Sequence, residues 1–261
     1  MKGGVRMVWV LLFVLIGGVI LLGYMYFLSG NDHLQEKQLP CRGLDAHQRI
    51  QLLFISDIHN RKLKESTFKK MRSVDLVIIG GDFVDKRTSN ERFMHNLSIL
   101  KQWGAPVYFV PGNNDHEWKF GSFLDDLIKE EVIPLSNEDE YVELPNGTPV
   151  VLSALDPYFM KPNRNASYLE DENCLQILCV HDPYVFKRMN QVYKGRFDIV
   201  LSGHTHGGQI RLFGFGPYER GGWKIEGNQS VLVSEGYGTS LLPLRLGTKA
   251  ECHWIELTPK H

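Results

Sequence analysis

Short apolar runs recur along the chain after residue 49, and each is followed directly by polar residues. Runs of this length, rich in Val, Ile and Leu, are typical of central strands that are buried on both faces of a sheet. The predicted strands are residues 52–55, 76–79, 107–110, 150–152, 177–180, 199–201 and 231–233.

Helical segments are predicted between the early strands, at residues 61–71, 90–103 and 123–131. The first half of the chain therefore alternates strand and helix, which favours a layered α/β domain. The second half is richer in strands and in glycine-bearing loops. Residues 49–261 contain no internal repeat and no convincing linker, so we expect a single domain there.

The N-terminal segment has a different pattern, because residues 7–30 contain no charged side chain. About 20 such residues in a helix span the hydrocarbon core of a bilayer, so we expect a short tail at 1–6 and a transmembrane anchor at 7–30. A cleaved signal peptide and a buried helix are the alternatives. Lys2 and Arg6 precede the anchor and favour a single-pass protein with its catalytic domain outside the cytoplasm. Residues 31–48 are polar, show no periodicity and are expected to form a stalk.

Composition narrows the class of protein. The 261 residues are 43% apolar and 23% charged, with a formal net charge of −1, which is an ordinary globular balance. No long block of basic residues is present, so a nucleic-acid partner is not expected. The four cysteines include no C-x-x-C pair and are expected to be buried thiols, although a Cys41–Cys252 bridge stays open.

Metal-binding residue types follow five of the predicted strands. They occur in the segments Asp57-Ile58-His59, Gly81-Asp82, Gly112-Asn113-Asn114-Asp115, His181 and Gly203-His204-Thr205-His206. The carboxyl ends of strands in α/β sheets are where ligands bind. Imidazole with carboxylate and amide oxygens suits manganese, iron or zinc. Two such cations need a bridging carboxylate, for which Asp82 is the natural candidate.

The ordered set D-x-H, G-D, G-N-x-D, H and G-H-T-H resembles the calcineurin-like metallophosphoesterases. The segments 203–210 and 236–245 resemble one bacterial branch of membrane-associated phosphodiesterases and UDP-2,3-diacylglucosamine pyrophosphatases. The resemblance implies a four-layer α-β-β-α sandwich and two divalent metal ions, with in-line attack of a metal-bound hydroxide on phosphorus. It assigns one ion to Asp57, His59, Asp82 and His206, and the other to Asp82, Asn113, His181 and His204. It also implies that His204 helps to neutralise the phosphoryl oxygens.

The sequence departs from the family pattern at Asn114, where the usual motif has a histidine thought to protonate the leaving group. Asparagine donates hydrogen bonds but does not release a proton at physiological pH. A general acid contributes roughly 10²–10⁴ in rate, so this loss has chemical consequences. His116, two positions later, is a candidate substitute.

We therefore expect a phosphodiesterase or pyrophosphatase at the membrane surface, with a lipid-linked or envelope-derived phosphate ester as substrate. One alternative is a metal-binding scaffold or sensor, motivated by Asn114. Another is a protein Ser/Thr phosphatase. The loop from Asp156 to Arg164 is a candidate pocket wall, and the stretch 241–244 is either core or a lipid-facing surface.

Overall fold

The protein contains two six-stranded mixed sheets, as seen in a computed structural model that describes residues 2–42, 44–144, 147–158 and 174–260. In spatial order, the first sheet consists of β1 (Asp32–Cys41), β12 (Ala250–Pro259), β2 (Ile50–Ile55), β3 (Leu76–Ile79), β4 (Val107–Phe109) and β5 (Ile133–Pro134). The second consists of β10 (Gly222–Glu226), β11 (Gln229–Val233), β9 (Ile199–Ser202), β8 (Leu175–Val180), β7 (Pro149–Leu155) and β6 (Asp139–Glu143).

The central strands β2, β3 and β4 are parallel to one another, as are β7, β8, β9 and β11. Parallel strands need crossover connections, which here include helices. The helices are α1 (Lys2–Gly30), α2 (Glu65–Phe68), α3 (Asn90–Leu100), α4 (Phe123–Lys129), α5 (Pro183–Arg188) and α6 (Gln191–Lys194).

Three apolar clusters fix the layers. Phe54 and Ile78 of the first sheet pack with Ile177 and Leu201 of the second, which forms the core between the sheets. The outer face of the first sheet packs against α3 and α4. The outer face of the second sheet packs against α5 through Phe186. The layer order is thus helix, sheet, sheet, helix, which confirms the predicted α/β four-layer sandwich.

Helix α1 is the single described helix that is long and apolar enough to cross a bilayer, over Arg6–Gly30. Its side chains are exposed from Arg6 to Tyr24, and the first one buried by the rest of the protein is Met25. Ser29 in the last turn is also buried, and its hydroxyl donates to Pro243 O at 2.7 Å. From residue 6 onward, the side chains of α1 that the domain buries therefore lie in its final turns.

The prediction of a stalk at residues 31–48 is wrong for most of that segment. Asp32–Cys41 forms β1, a strand parallel to β12 at the edge of the first sheet. Its first seven residues are half-buried or exposed, and only Leu39 and Cys41 are buried. An edge strand with one solvent-exposed face carries polar side chains on that face. It therefore lacks the continuous apolar run from which central strands are predicted.

The structure also differs from the predicted secondary structure elsewhere, including at one helix and one strand. The helix predicted at 61–71 is a single short turn, Glu65–Phe68, and the terminal strand Ala250–Pro259 was not predicted. The four cysteines are free and buried, which confirms buried thiols. Cys252 lies opposite Leu34 and Cys41 opposite Pro259 in the paired strands, so the Cys41–Cys252 bridge is not formed.

Candidate metal centre

The seven predicted metal ligands all lie in loops that directly follow parallel strands. Asp57 and His59 follow β2, Asp82 follows β3, and Asn113 follows β4. The remaining three follow strands of the other sheet, His181 after β8 and His204 and His206 after β9. The site therefore lies at the carboxyl edges of both sheets, where residues distant in sequence converge.

Backbone strain is concentrated at these residues. Five of them have φ in the left-handed region, namely Asp57 at 54°, His59 at 51°, Asp82 at 51°, His204 at 69° and His206 at 50°. Such conformations are costly for residues other than glycine and persist where the surrounding structure enforces them. Hydrogen bonds between neighbouring loops do so here, from Asp57 N to Gly81 O at 2.9 Å and from His59 N to Asp82 O at 3.0 Å.

The side chains form two adjacent groups. Asp57, His59 and His206 make one, and Asp82, His181 and His204 make the other. Within each group the potential ligand atoms all lie within 4.8 Å of one another.

Asp82 lies between the two groups. Its Oδ2 is 3.8 Å from His59 Nε2 in the first group and 3.4 Å from His181 Nε2 in the second. Its other oxygen, Oδ1, accepts a hydrogen bond of 2.7 Å from the backbone N–H of Asn114. The bond to Oδ1 fixes the carboxylate and leaves Oδ2 directed at both groups.

The hydrogen bonding of His181 leaves one ring nitrogen available for a ligand. Nδ1 is 2.7 Å from Gly80 O, and a carbonyl accepts, so Nδ1 carries the proton. In the neutral ring Nε2 presents its lone pair, and within the described residues this buried atom has no hydrogen-bond partner. A backbone partner on one nitrogen and a free lone pair on the other is typical of metal-binding histidine.

Asn113 shows the same division between its two polar atoms. Its amide nitrogen donates to Asn114 Oδ1 at 2.9 Å. Its Oδ1 is buried and has no hydrogen-bond partner among the described residues. Asn114, at the position of the usual histidine, therefore engages the amide nitrogen of Asn113 and leaves the amide oxygen available.

Asp115 was not assigned a role from the sequence, although it completes the Gly112–Asp115 segment. It is fully buried and accepts backbone hydrogen bonds from Asp82 N at 2.8 Å, Gly112 N at 2.8 Å and Val84 N at 3.1 Å. Three backbone donors on one carboxylate tie the β3 and β4 loops together. The aspartate at the fourth position of G-N-x-D was the available signal.

Two glycines permit the close approach of these loops. A Cβ at Gly112 would lie 2.3 Å from Asp82 N, and one at Gly203 would lie 2.4 Å from Asp57 Oδ2. Both distances are well below the van der Waals contact distance, and both atoms belong to residues of the site. Glycine is therefore required by packing here.

The charges of the site shift its pKa values strongly. Burial alone would raise the pKa of Asp82, but His181 and His59 outweigh it and hold that pKa at about 2. Burial alone would lower the pKa of His181, but Asp82 and Asp57 raise it to about 10. Burial, followed by the effect of His59, lowers the pKa of His206 well below its usual value. The site thus combines an ionised Asp82 carboxylate with two imidazoles, those of His181 and His206, that differ in proton affinity.

A cleft of about 520 Å³ opens onto the two groups. Its floor includes His59, Asp82, Asn113, Asn114, His204 and His206. Its walls come from the loops after β9 and β11, through Gln209, Ile210, Tyr218 and Leu241.

His116 is exposed and does not line this cleft, which counts against it as a substitute acid. Of the predicted wall Asp156–Arg164, only residues 156–158 are described, and the rest lies outside the described residues.

The segment after β11 supports the site from behind. Tyr237 N donates to Ser56 O at 3.0 Å and Gly238 N donates to Asp57 O at 2.7 Å. Arg245 is fully buried, and its guanidinium donates to Glu235 O, Gly236 O and Gly238 O. Its Nη2 also lies 3.4 Å from His206 Nδ1. The arginine therefore holds this loop beneath the first group of ligands.

These observations fit a pair of divalent cations. The donor set of carboxylate, imidazole and amide oxygen suits manganese, iron or zinc. The buried Nε2 of His181 and Oδ1 of Asn113 have no hydrogen-bond partner among the described residues and are available as ligands. His59 Nε2 lies 3.2 Å from His206 Nε2, so one cation could be coordinated by both ring nitrogens.

Comparison with known proteins agrees with this geometry. The family model of calcineurin-like phosphoesterases matches residues 50–208. The Bacillus subtilis protein YpbG is 36% identical over 89% of this chain and 90% of its own length. YaeI of Escherichia coli, named a phosphodiesterase, is 28% identical over 80% of this chain and 82% of its own length. A Danio rerio transmembrane protein with a metallophosphoesterase domain is 25% identical, over 77% of this chain and 52% of its own length.

The fold and the site thus define a metal-dependent hydrolase of phosphate esters. The chain belongs to the calcineurin-like phosphoesterase family.

Proposed function

We propose that the protein hydrolyses phosphodiester or pyrophosphate bonds at a membrane surface, using two divalent metal ions. The observation that carries this proposal is the position of Asp82 Oδ2, within 4 Å of a histidine nitrogen from each ligand group. A carboxylate shared by two cations is what a two-metal phosphoesterase requires.

The proposed ligand sets follow the two groups. Asp57, His59, Asp82 and His206 would hold one ion, and Asp82, Asn113, His181 and His204 the other. Asn113 enters the second set because its Nδ2 donates to Asn114 Oδ1, while its own buried Oδ1 has no hydrogen-bond partner among the described residues.

When bound, such a metal pair supplies positive charge at the phosphoryl group and lowers the pKa of water near it. The residues of the chain orient the ester in line. His204 is half-buried at the floor of the cleft and lies where it would donate to a phosphoryl oxygen. His181 and His206 are buried, so protein encloses most of each ring.

Proton transfer sets a preference among substrates. Asn114 lines the cleft but has no proton to release, and His116 lies outside the cleft. The leaving group must therefore depart without a protein acid at this position. A pyrophosphate, or a diester whose leaving oxygen is weakly basic, fits this constraint better than an ester with a simple alkoxide leaving group.

The membrane part of the proposal rests on α1, whose apolar surface is exposed from Met7 to Tyr24. The basic residues Lys2 and Arg6 at its start favour a catalytic domain outside the cytoplasm. Confinement beside the bilayer favours a lipid-linked or envelope-derived phosphate ester.

The test uses full-length protein in detergent micelles, loaded with manganese. We expect faster cleavage of bis-p-nitrophenyl phosphate than of p-nitrophenyl phosphate, and loss of both activities in Asp82→Asn and His204→Ala. Asp125→Asn is the matched control for charge removal, because Asp125 is exposed on α4. Equal activity in wild type and Asp82→Asn would contradict the mechanism.

The second candidate is a metal-binding scaffold or sensor, which Asn114 at the acid position favours. Such a protein would bind the metals and hydrolyse neither ester. Preference for phosphoserine or phosphothreonine peptides over diesters would instead indicate a protein phosphatase.

A further inference from the structure

Two loops at the mouth of the cleft carry large apolar side chains that face water. Phe213 is 98% exposed, Phe215 81%, Leu212 56%, Leu241 79% and Leu242 63%. We call these five residues the apolar rim. Clusters of exposed apolar residues mark surfaces that contact a partner or a membrane.

The first loop of the rim is a rigid, tight hairpin. Leu212 and Phe215 exchange two backbone hydrogen bonds of 2.9 Å, and the Arg211 guanidinium donates to Gly214 O at 2.6 Å. Phe213 lies at the turn with φ at 50°, a conformation that a turn normally gives to glycine or asparagine. Turn formation therefore does not explain a phenylalanine at this position.

The second loop of the rim is fastened to the first by Gln209. Its side-chain amide donates to Ser240 O at 3.1 Å and to Leu242 O at 3.3 Å. Its amide oxygen accepts from Ser240 N at 2.8 Å. The two loops therefore form one surface with a fixed geometry.

The second loop is also fastened to the end of the membrane helix. Ser29 Oγ donates to Pro243 O at 2.7 Å, and Arg245 N donates to Met25 O at 3.0 Å. The helix is free of the domain from Arg6 to Tyr24, a length of about 28 Å at 1.5 Å per residue. That length matches a hydrocarbon core of about 30 Å, which places Met25–Ser29 and the attached loop at the membrane interface.

The rim and the active-site cleft are continuous. Leu241 lines the cleft together with His59 and Asp82. Ile210, which precedes the hairpin, lines it beside His206. A molecule that passes over the rim therefore reaches the ligand groups without crossing the rest of the protein surface.

We propose that the apolar rim inserts into the boundary between headgroups and acyl chains, and that the cleft takes the phosphate of an amphipathic lipid directly from the bilayer. The partner that contacts the apolar rim is the bilayer itself, because the attachment to α1 holds the rim at the level of the membrane interface. The substrate part rests on the proposed phosphoesterase function. The insertion part does not.

Insertion is tested by spin labels on full-length protein in vesicles of equal parts phosphatidylcholine and phosphatidylglycerol. The four native cysteines are buried, so an introduced cysteine is labelled selectively. Phe213→Cys reports on the rim. Ile225→Cys is the matched control, because Ile225 is 73% exposed on β10 at the edge of the second sheet remote from the site.

We expect the label at position 213 to be more accessible to oxygen than to a water-soluble nickel complex, and the label at 225 to show the reverse. Equal nickel accessibility at the two positions would contradict insertion. A label at 213 shielded from both reagents would indicate a protein interface, such as a second copy of this chain, and would also contradict it.

The substrate part is tested with hexadecyl p-nitrophenyl phosphate in the same vesicles and with bis-p-nitrophenyl phosphate in solution. Phe213→Ser combined with Phe215→Ser should lower the rate on the vesicle ester by roughly tenfold, since two phenyl groups leave the apolar phase. The rate on the soluble ester should stay near that of wild type, because neither side chain lines the cleft.

The two failures are distinguishable. If wild type cleaves neither ester, the proposed phosphoesterase function fails. If wild type cleaves the soluble ester but the double variant loses no rate on the vesicle ester, delivery from the bilayer fails and the proposed function stands.

Discussion

The carboxylate of Asp115 accepts a 2.8 Å hydrogen bond from the backbone N–H of Asp82, the residue at the centre of the site. The same oxygen accepts from Gly112 N, and the other accepts from Val84 N. One buried side chain thereby sets the position of the loop that carries the shared carboxylate, although it lies outside the predicted ligand set.

We predict that Asp115→Asn destabilises the protein and weakens metal binding. Asparagine offers one acceptor oxygen in place of two, so at least one buried N–H loses its partner, at a cost of about 1–3 kcal/mol. Urea unfolding and manganese titration measure the two effects. Asp125→Asn removes an exposed carboxylate and should change neither, whereas identical behaviour of the two variants would refute the role of Asp115.

Position 114 makes a prediction about leaving groups. Asn114→His adds a group that can donate a proton in the cleft, so the rate should rise more for a poor leaving group than for p-nitrophenolate. Rates on methyl p-nitrophenyl phosphate and on an alkyl phenyl phosphate measure the ratio. His116→Ala should leave that ratio as it is, because His116 lies outside the cleft. An unchanged ratio in Asn114→His would exclude position 114 from the proton path.

Metal binding should release a proton from His181 at neutral pH. Asp82 and Asp57, acting against burial, raise the pKa of His181 to about 10, so the metal-free protein carries that proton at pH 7. A cation must displace it, and affinity should therefore increase as pH rises toward that pKa. Calorimetry in two buffers of different ionisation enthalpy should show release of about one proton per chain from this residue. A buffer-independent heat would contradict the assignment.

The N-terminal boundary of the folded domain is also testable. A fragment that starts at Asn31 keeps β1, whereas one that starts at Arg42 leaves the edge of β12 unpaired. The shorter fragment also loses burial of Leu39 and Cys41, each 4% exposed. We expect its free energy of unfolding to be lower by roughly 3 kcal/mol or more. Equal midpoints in urea would show that β1 is dispensable.

The sequence predicted the central strands well, and the structure brings six of the candidate ligands into two groups. Strands and ligand types both depend on local pattern. Runs such as 76–79 are apolar on both faces, and the residues after them are of metal-binding types. The convergence of those residues follows from the parallel sheet, since the carboxyl ends of parallel strands share an edge. The α/β class was therefore accessible before the structure, whereas the four-layer arrangement was implied by the resemblance to the metallophosphoesterases. The same resemblance implied the grouping of Asp57 with His206, which follow strands of different sheets.

What the sequence did not predict depends on long-range contacts. β1 pairs with a strand more than 200 residues away, and its polar face hides it from any local pattern. Arg245 can be buried because its guanidinium donates to three backbone carbonyls of one loop. The hydrophobic pattern of the sequence does not indicate these contacts. The stretch 241–244 was equally ambiguous, because exposed and buried leucines look the same in sequence. Two hydrogen bonds, from Ser29 Oγ to Pro243 O and from Arg245 N to Met25 O, place that stretch beside α1.

The most direct test of the account is the metal content of full-length protein reconstituted with manganese and freed of loosely bound ions. Elemental analysis should find two manganese ions per wild-type chain, and an exchange-coupled electron paramagnetic resonance signal should show that they share a ligand. Asp82→Asn should lose the coupling and at least one ion. A folded wild-type protein that binds no ion pair, or an Asp82→Asn protein that keeps the coupled pair, would contradict the central claim.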